Sequence, residues 1–302
     1  MLDTLDQTPS LQGNAEIQGL AHFPQEDDQC GPASLATMLA FNQISVTPEQ
    51  LKPQIYIPGK GGTLQVELIA RARQYDLIPY QLKPELAELL KELDAGHPVL
   101  VMQNLGFSLL PQWHFAVAIG YDLQQRQLIL RSGPNKRYVT DLSLFQKTWD
   151  RADNWALVIL PPDTLPATAE LTRYMQTVSQ LEQLGLQDTA LIAYQTAAGH
   201  WPESASPQMG LGNISYAQQQ YQHAIQYFIQ YIERSATPAP GWNNLAYSFS
   251  KTGCSTAALE AINCAITIAP DQPAYKESLE ELRAMQADNT ASACPLPQCI
   301  EP

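Results

Sequence analysis

Of the five cysteines in the chain, Cys30 has the neighbours of a reactive thiol. Gly31-Pro32 follows it, and the next apolar residues, at positions 35, 38, 39 and 41, fall on one helical face. Proline is favoured in the first turn of a helix, where its missing N–H costs nothing, so Cys30 is predicted at a helix N-terminus. Free N–H groups and the positive end of the helix dipole stabilise a thiolate there. These features predict a nucleophile.

A thiol nucleophile requires a base, and His114 is the best candidate among five histidines. It opens the run Trp113–Asp122, whose composition predicts a β-strand that begins at the histidine. The start of a rigid strand is a suitable place to hold a general base. The other four are assigned to loops or repeats, or lie too near the start of the chain: His22, His97, His200 and His223.

These two motifs resemble those of the bacteriocin-processing (double-glycine leader) cysteine peptidases, and in particular of their stand-alone bacterial relatives that carry tetratricopeptide repeats. The similar region extends from about Gly19 to Leu160. It includes Gly96-His97-Pro98 with the apolar run after it, and a closing helix and strand within 142–160. The resemblance implies a papain-like α+β cysteine peptidase domain.

The resemblance also implies roles for individual residues. Cys30 attacks the scissile carbonyl, and His114 takes the thiol proton and later protonates the leaving amine. A glutamine upstream of the cysteine donates its side-chain amide to the oxyanion, together with the backbone N–H of Cys30. Gln25 best matches that glutamine, and Gln29, directly before the cysteine, is the competitor.

The chain departs from the family pattern at the residue that orients the histidine. The family usually has Asp-Pro on the strand after the histidine, whereas this chain has Arg131 at the expected aspartate. Arginine cannot accept a hydrogen bond from an imidazole. Ser132, Asn135 or a backbone carbonyl is expected to supply the accepting oxygen instead, as an asparagine does in papain-like enzymes.

The second half of the chain repeats with a period of 34 residues. Ala190, Ala224 and Ala258 follow this interval, and so do Tyr194, Phe228 and Ile262. Small residues at fixed offsets allow two antiparallel helices to approach closely, and the pattern resembles the tetratricopeptide repeat. Three units are predicted, starting near positions 171, 205 and 239. Such a stack forms a concave peptide- or protein-binding surface or a structural cap, and the repeat alone does not choose between them.

The proline-rich run Pro161–Pro166 separates the two halves, because three prolines in six residues cannot continue a helix or a central strand. The predicted organisation is a flexible segment (1–18), a peptidase domain (19–160), a linker (161–170), an all-α repeat domain (171–286) and a tail (287–302). The tail contains Cys294 and Cys299, which are expected to be two free thiols or a disulfide. Cys254 and Cys264 are expected as small buried residues of the repeats.

Composition restricts the partners. A formal net charge of -13 leaves no basic surplus to neutralise phosphates, which argues against nucleic acid. No apolar run is long enough for a membrane span. No cofactor or metal site is predicted, because the loop Pro58–Thr63 lacks the spacing of a nucleotide-binding loop. The polar start of the chain as given predicts no signal peptide. A periplasmic or cell-envelope location is expected if a signal was removed, and a cytoplasmic one otherwise.

Three hypotheses follow for the function. The first is a cysteine peptidase that hydrolyses a peptide or protein, with the repeats recruiting the substrate or a protein partner. The second, motivated by Arg131, is a degenerate peptidase fold that acts as a peptide-binding adaptor. The third keeps the Cys-His chemistry but changes the reaction to cell-wall amide hydrolysis or transglutamination.

Overall fold

The computed structural model describes residues 11–24, 29–107, 109–285, 294 and 296–299. The chain divides into two compact units, Met1–Glu170 and Leu171–Pro302. The first combines α-helices with an antiparallel sheet, and the second is helical throughout its described residues apart from the tail. An α+β domain followed by an all-α domain is the predicted fold class, and it is confirmed.

Among the described residues of the first unit, nine strands and five helices are found. The strands are β1 Asn14–Glu16, β2 Tyr56–Ile57, β3 Gly62–Thr63, β4 Ile78–Gln81, β5 Val99–Asn104, β6 Trp113–Asp122, β7 Gln127–Ser132, β8 Asn135–Asp141 and β9 Ala156–Leu160. The helices are α1 Cys30–Phe41, α2 Pro48–Ile55, α3 Gln65–Arg73, α4 Leu86–Asp94 and α5 Leu142–Asp150. A turn of 3₁₀ helix, Pro58–Lys60, joins β2 to β3, so the glycine-rich run is a small hairpin.

The main sheet has seven strands. Six follow the order β4-β9-β5-β6-β7-β8, and β1 pairs with the end of β6. Successive side chains of a strand alternate between the two faces of a sheet. In β5, Leu100 and Met102 belong to the apolar cluster that packs with α1. Gln103 faces the other way and donates a hydrogen bond to Thr148 of α5. Helices α1 and α5 therefore cover opposite faces of the sheet.

Strand β1 lies within residues expected to belong to a flexible N-terminal segment, and that expectation is wrong for Asn14–Glu16. The physical reason is Gly120 in β6. A Cβ atom at this position would lie 2.4 Å from the Ala15 carbonyl oxygen and 2.8 Å from Glu16 Cα. Because the glycine has no side chain, the backbone of β1 can approach closely and pair with β6.

The second unit contains seven helices among its described residues: α6 Leu171–Gln183, α7 Gln187–His200, α8 Ser206–Ala217, α9 Tyr221–Arg234, α10 Ala239–Lys251, α11 Ser255–Ile268 and α12 Pro273–Ala284. Each of the first three consecutive pairs packs side by side. Close packing depends on small residues facing rings. A Cβ atom on Gly210 would meet the Tyr194 ring at 2.4 Å, and one on Gly212 would meet the Phe228 ring at 2.4 Å. Tyr194 and Phe228 are one period of 34 residues apart, and both rings pack against glycines of α8.

The cysteines of the second unit pair differently from the expectation. Cys254 is joined to Cys294 and Cys264 to Cys299, so each tail cysteine binds a repeat cysteine. Cys254 is the N-cap of α11, and Cys264 lies within this helix. The two cysteines are ten residues apart, or about 15 Å along the helix. The two tail cysteines are five residues apart, and five residues of an extended chain span about 16 Å, which matches the spacing of the repeat cysteines. Sequence spacing alone does not reveal such pairings.

Among the described residues, no helix has the length and apolar character that a membrane span requires.

Candidate active site

Cys30 is the first residue of α1 and the one cysteine of the five that forms no disulfide. It is partly buried against the apolar cluster between α1 and the sheet. The N-cap residue, Gln29, makes no side-chain capping hydrogen bond, and the first turn contains no acidic residue. The helix end therefore presents backbone N–H groups and its positive dipole end to the sulfur, which stabilises a thiolate.

Gly31 fixes the first turn of α1 against β3. A Cβ atom on this glycine would lie 2.5 Å from Thr63 Cβ and 2.6 Å from Thr63 Oγ1. The Thr63 hydroxyl is buried and has no hydrogen-bond partner among the described residues. The β2–β3 hairpin thus packs directly on the turn that carries Cys30, a contact that the sequence did not predict.

His114 is the second residue of β6, and its Nε2 lies 2.9 Å from Ser132 Oγ on the neighbouring strand β7. When Nε2 carries the ring proton, the imidazole donates to the serine hydroxyl and Nδ1 is left as an acceptor. Burial lowers the pKa of His114 because the charged imidazolium loses solvation. A neutral ring held by Ser132 can accept a proton near pH 7, which is the chemistry of a general base.

Arg131, which takes the place of the family's aspartate, does not face the histidine. Its guanidinium donates hydrogen bonds to the carbonyl oxygens of Lys136 and Leu20. Alternation along β7 places the next side chain, Ser132, on the opposite face, where it contacts His114. The oxygen that holds the imidazole is one residue further along the strand than the family pattern suggests.

The turn after Ser132 also contacts His22, a histidine for which no catalytic role was predicted. His22 Nε2 lies 3.3 Å from the Pro134 carbonyl oxygen, and burial lowers its pKa. Together with the contact between Arg131 and Leu20, this bond ties the segment before Cys30 to the turn after Ser132. No sequence signal marks this pairing, because the two segments are more than 100 residues apart.

The remaining predicted residues fall outside this group. Gln25 lies outside the described residues, so its role as oxyanion donor stays a prediction. Asn135 is exposed and lines a cavity beside His114. His97 contacts Glu92, with Nδ1 2.7 Å from Oε2, in a buried cluster that also binds the backbone of Ala167 and Thr168.

Among the described residues, no group of histidine, cysteine, aspartate or glutamate side chains is arranged to hold a metal ion. The second unit has a cavity of about 440 Å³, lined by asparagine and aromatic side chains of α8, α9 and α10. It is bridged by a hydrogen bond of 3.0 Å from Asn244 to Asn213.

In a comparison with protein families, residues 17–157 match the model described as the Peptidase_C39 like family. No curated protein matches the chain. The matched residues contain Cys30, His114 and Ser132.

The chain is similar to several solved structures, with low sequence identity to each. A C39-like peptidase from Bacillus anthracis is 19% identical, with a TM-score of 0.43, and the match covers 49% of this chain and 98% of that one. The peptidase domain of Streptococcus ComA, a bi-functional ABC transporter, is 22% identical with a TM-score of 0.37, covering 47% and 98%. YrrB, a tetratricopeptide-repeat protein with an unusual peptide-binding site, is 16% identical with a TM-score of 0.35, covering 38% and 59%.

Proposed function

We propose that the chain, whose residues 17–157 match the model of the Peptidase_C39 like family, is a cysteine peptidase that hydrolyses peptide bonds. The observation that carries the proposal is the hydrogen bond between His114 and Ser132. It gives the imidazole a fixed orientation without an aspartate. It accompanies a cysteine that is in no disulfide and lies at a helix N-terminus, where a thiolate is stabilised.

The proposed reaction has two stages. His114 takes the proton of the Cys30 thiol, and the sulfur forms a bond to the scissile carbonyl carbon. The backbone N–H of Cys30 and the side-chain amide of Gln25 donate hydrogen bonds to the oxyanion. The C–N bond then breaks, and His114 gives its proton to the leaving amine. In the second stage His114 takes a proton from water, the hydroxide attacks the thioester, and the carboxylic acid product leaves as the thiol is regenerated.

Ser132 has the role that a carboxylate or an amide has in related sites. A neutral hydroxyl orients the ring but stabilises an imidazolium less than a carboxylate does. Together with the burial of His114, this keeps the resting ring neutral, so the proposed enzyme works by general-base abstraction of the thiol proton. Loss of an orienting group lowers activity without abolishing it.

The experiment that tests the proposal is a peptide-library digestion followed by mass spectrometry. The wild-type chain is compared with Cys30→Ala and His114→Ala. Cleavage that disappears in both variants supports the proposal. Cleavage that persists in either variant contradicts it, and a wild-type chain that cleaves no peptide favours the adaptor hypothesis motivated by Arg131.

We further propose that the second unit recruits peptide. Its cavity combines the amides of Asn213 and Asn244 with the rings of Tyr216 and Tyr247. Such side chains bind a peptide backbone by hydrogen bonds and pack against its side chains. For a cleaved peptide long enough to reach both units, Asn244→Ala should raise KM and leave kcat unchanged. Equal KM values for the variant and the wild type would contradict recruitment by this surface.

A further inference from the structure

A cavity of about 430 Å³ lies directly beside His114 and Ser132. It is enclosed by β5 to β8 and by α5. Its volume lies within the range of about 300–1,000 Å³ that is typical of ligand pockets. The proposed mechanism uses His114 and Ser132 but gives this space no role.

Part of the cavity wall is apolar. Leu105, Tyr138 and Leu144 contribute to its lining and are 48%, 42% and 52% exposed. Phe145 lies on the same side and is fully buried. Exposed apolar side chains around a concave site favour burial of an apolar group of a ligand.

The interior of the cavity also carries polar side chains. Gln103 is 5% exposed, and its amide nitrogen donates a hydrogen bond of 2.6 Å to Thr148 Oγ1. Thr148 in turn donates to the Phe145 carbonyl oxygen at 2.8 Å. Among the described residues, no donor to the Gln103 amide oxygen is found. A ligand hydroxyl that enters the cavity can donate to this oxygen.

Charge limits the ligand as well. Among the described residues that line the cavity, none is aspartate, glutamate, lysine or arginine. A charged side chain that entered would lose its hydration without gaining an ion pair, which is costly. The cavity thus suits an uncharged side chain with a large apolar surface and one hydroxyl.

The position of the cavity relative to the chemistry decides which part of a substrate it receives. His114 gives its proton to the leaving amine, so the nitrogen of the residue after the scissile bond must approach the imidazole. The acyl part of the substrate stays bonded to Cys30, which does not line the cavity. The cavity is on the leaving-group side of the site.

We propose that this cavity binds the side chain of the residue that follows the scissile bond, and that it prefers tyrosine, then phenylalanine. The ring packs between Tyr138 and Leu144, and the phenol hydroxyl donates to the Gln103 amide oxygen. A ring in this place also shields the hydrogen bond between His114 and Ser132 from water. This inference rests on the proposed peptidase activity for its place in the reaction, but binding to the cavity is tested separately from activity.

The activity test uses a peptide library randomised around the cleavage site. Wild type is expected to cleave before tyrosine about five-fold faster than before phenylalanine, the gain of one neutral hydrogen bond. Leu144→Glu should shift the preference towards lysine and arginine at this position. Leu184→Glu, at a residue of the second unit that is 61% exposed, is the matched control and should leave the preference unchanged. A Leu144→Glu variant that alters the preference only before the scissile bond, or at no position, overturns the proposal.

The binding test does not need turnover. L-tyrosinamide, which has the free amine of a leaving group, is titrated into the Cys30→Ala chain while the imidazole protons of His114 are followed by NMR. They are expected to shift with L-tyrosinamide and to respond far less to L-lysinamide or to the α-amide of L-aspartic acid, which keeps its side-chain carboxylate. Leu144→Glu should weaken the effect of L-tyrosinamide, and Leu184→Glu should not. If the His114 signals of Cys30→Ala do not shift, the cavity proposal is overturned, even when the wild-type chain cleaves peptides. If the signals shift but the wild-type chain cleaves no peptide, the proposed function is overturned and binding in the cavity is supported.

Discussion

Replacing Gly31 by alanine tests how the first turn of α1 holds the nucleophile. The added Cβ would lie 2.5 Å from Thr63 Cβ. Carbon atoms in contact are normally about 3.5–4.0 Å apart, so α1 or the β2–β3 hairpin must move by about 1 Å. Overpacking of this kind destabilises a protein by about 1–3 kcal/mol.

The substitution should reduce the rate of the Cys30 reaction more strongly than it reduces the free energy of unfolding. A displacement of about 1 Å in a reacting group costs on the order of 100-fold in rate. We expect Gly31→Ala to unfold at a modestly lower urea concentration and to lose most of its peptidase activity. The assays are urea unfolding followed by circular dichroism, and cleavage of a peptide found in the library digestion.

A second substitution isolates the cause. Because the clash is with the Thr63 Cβ itself, Thr63→Gly should rescue Gly31→Ala, whereas Thr63→Ala should not. Gly199→Ala in α7 is the control, since no atom outside the neighbouring backbone of α7 lies within 4 Å of its added Cβ. It should be neutral or stabilising by up to about 1 kcal/mol. Wild-type activity in Gly31→Ala, or a double variant with Thr63→Gly that stays inactive, would refute the reasoning.

Three further perturbations have defined outcomes. Ser132→Ala should lower kcat about 10- to 100-fold with little change in stability, because the imidazole loses its orienting partner, and an unchanged kcat would count against Ser132. Glu92→Gln should destabilise the first unit by about 3 kcal/mol in urea unfolding. The buried Glu92 carboxylate binds the His97 ring and accepts the backbone N–H groups of Ala167 and Thr168 at 3.1 and 2.7 Å. A loss of stability below about 1 kcal/mol would contradict this role. Reduction should lower the stability of the second unit by about 3–4 kcal/mol for each of its two disulfides, and peptide mapping should recover Cys254–Cys294 linked peptides rather than a bridge within the tail.

Stability should also depend on pH through His114. Burial lowers its pKa in the folded protein below the ordinary value of 6.5. Between the lowered pKa and 6.5 the unfolded chain binds more protons, so the free energy of unfolding falls as the pH drops through this window. The lowered pKa of His22 gives a pH dependence of the same sign, but His22 is present in both wild type and His114→Gln and does not contribute to the difference between them. His114→Gln should flatten the dependence, and an identical slope in the variant would contradict a buried, neutral ring.

The sequence predicted the elements that local rules control. Pro32 and the helical apolar pattern located the start of α1 at Cys30, and the run that begins at Trp113 corresponds to β6. Both depend on periodicity and on the conformational limits of proline, which are properties of neighbouring residues. The same rules found the strand end at which His114 lies.

Long-range contacts were not predictable in the same way. Ser132 was one of three candidates for the partner of His114, and only the pairing of β6 with β7 brings it within 2.9 Å. The register also turns Arg131 away from the ring, so the arginine at the expected aspartate does not touch the histidine. Thr63 and Gln103 carry no sequence signal, because their importance comes from what packs against them.

The most direct test of the central claim is the rate at which iodoacetamide alkylates Cys30 as a function of pH, measured by mass spectrometry for wild type and for His114→Ala. A thiol that His114 and the helix N-terminus activate should react well below the ordinary cysteine pKa of about 8.5, and His114→Ala should move the profile towards that value. Identical profiles in the two proteins, both following an ordinary thiol, would contradict the proposal that Cys30 and His114 act together.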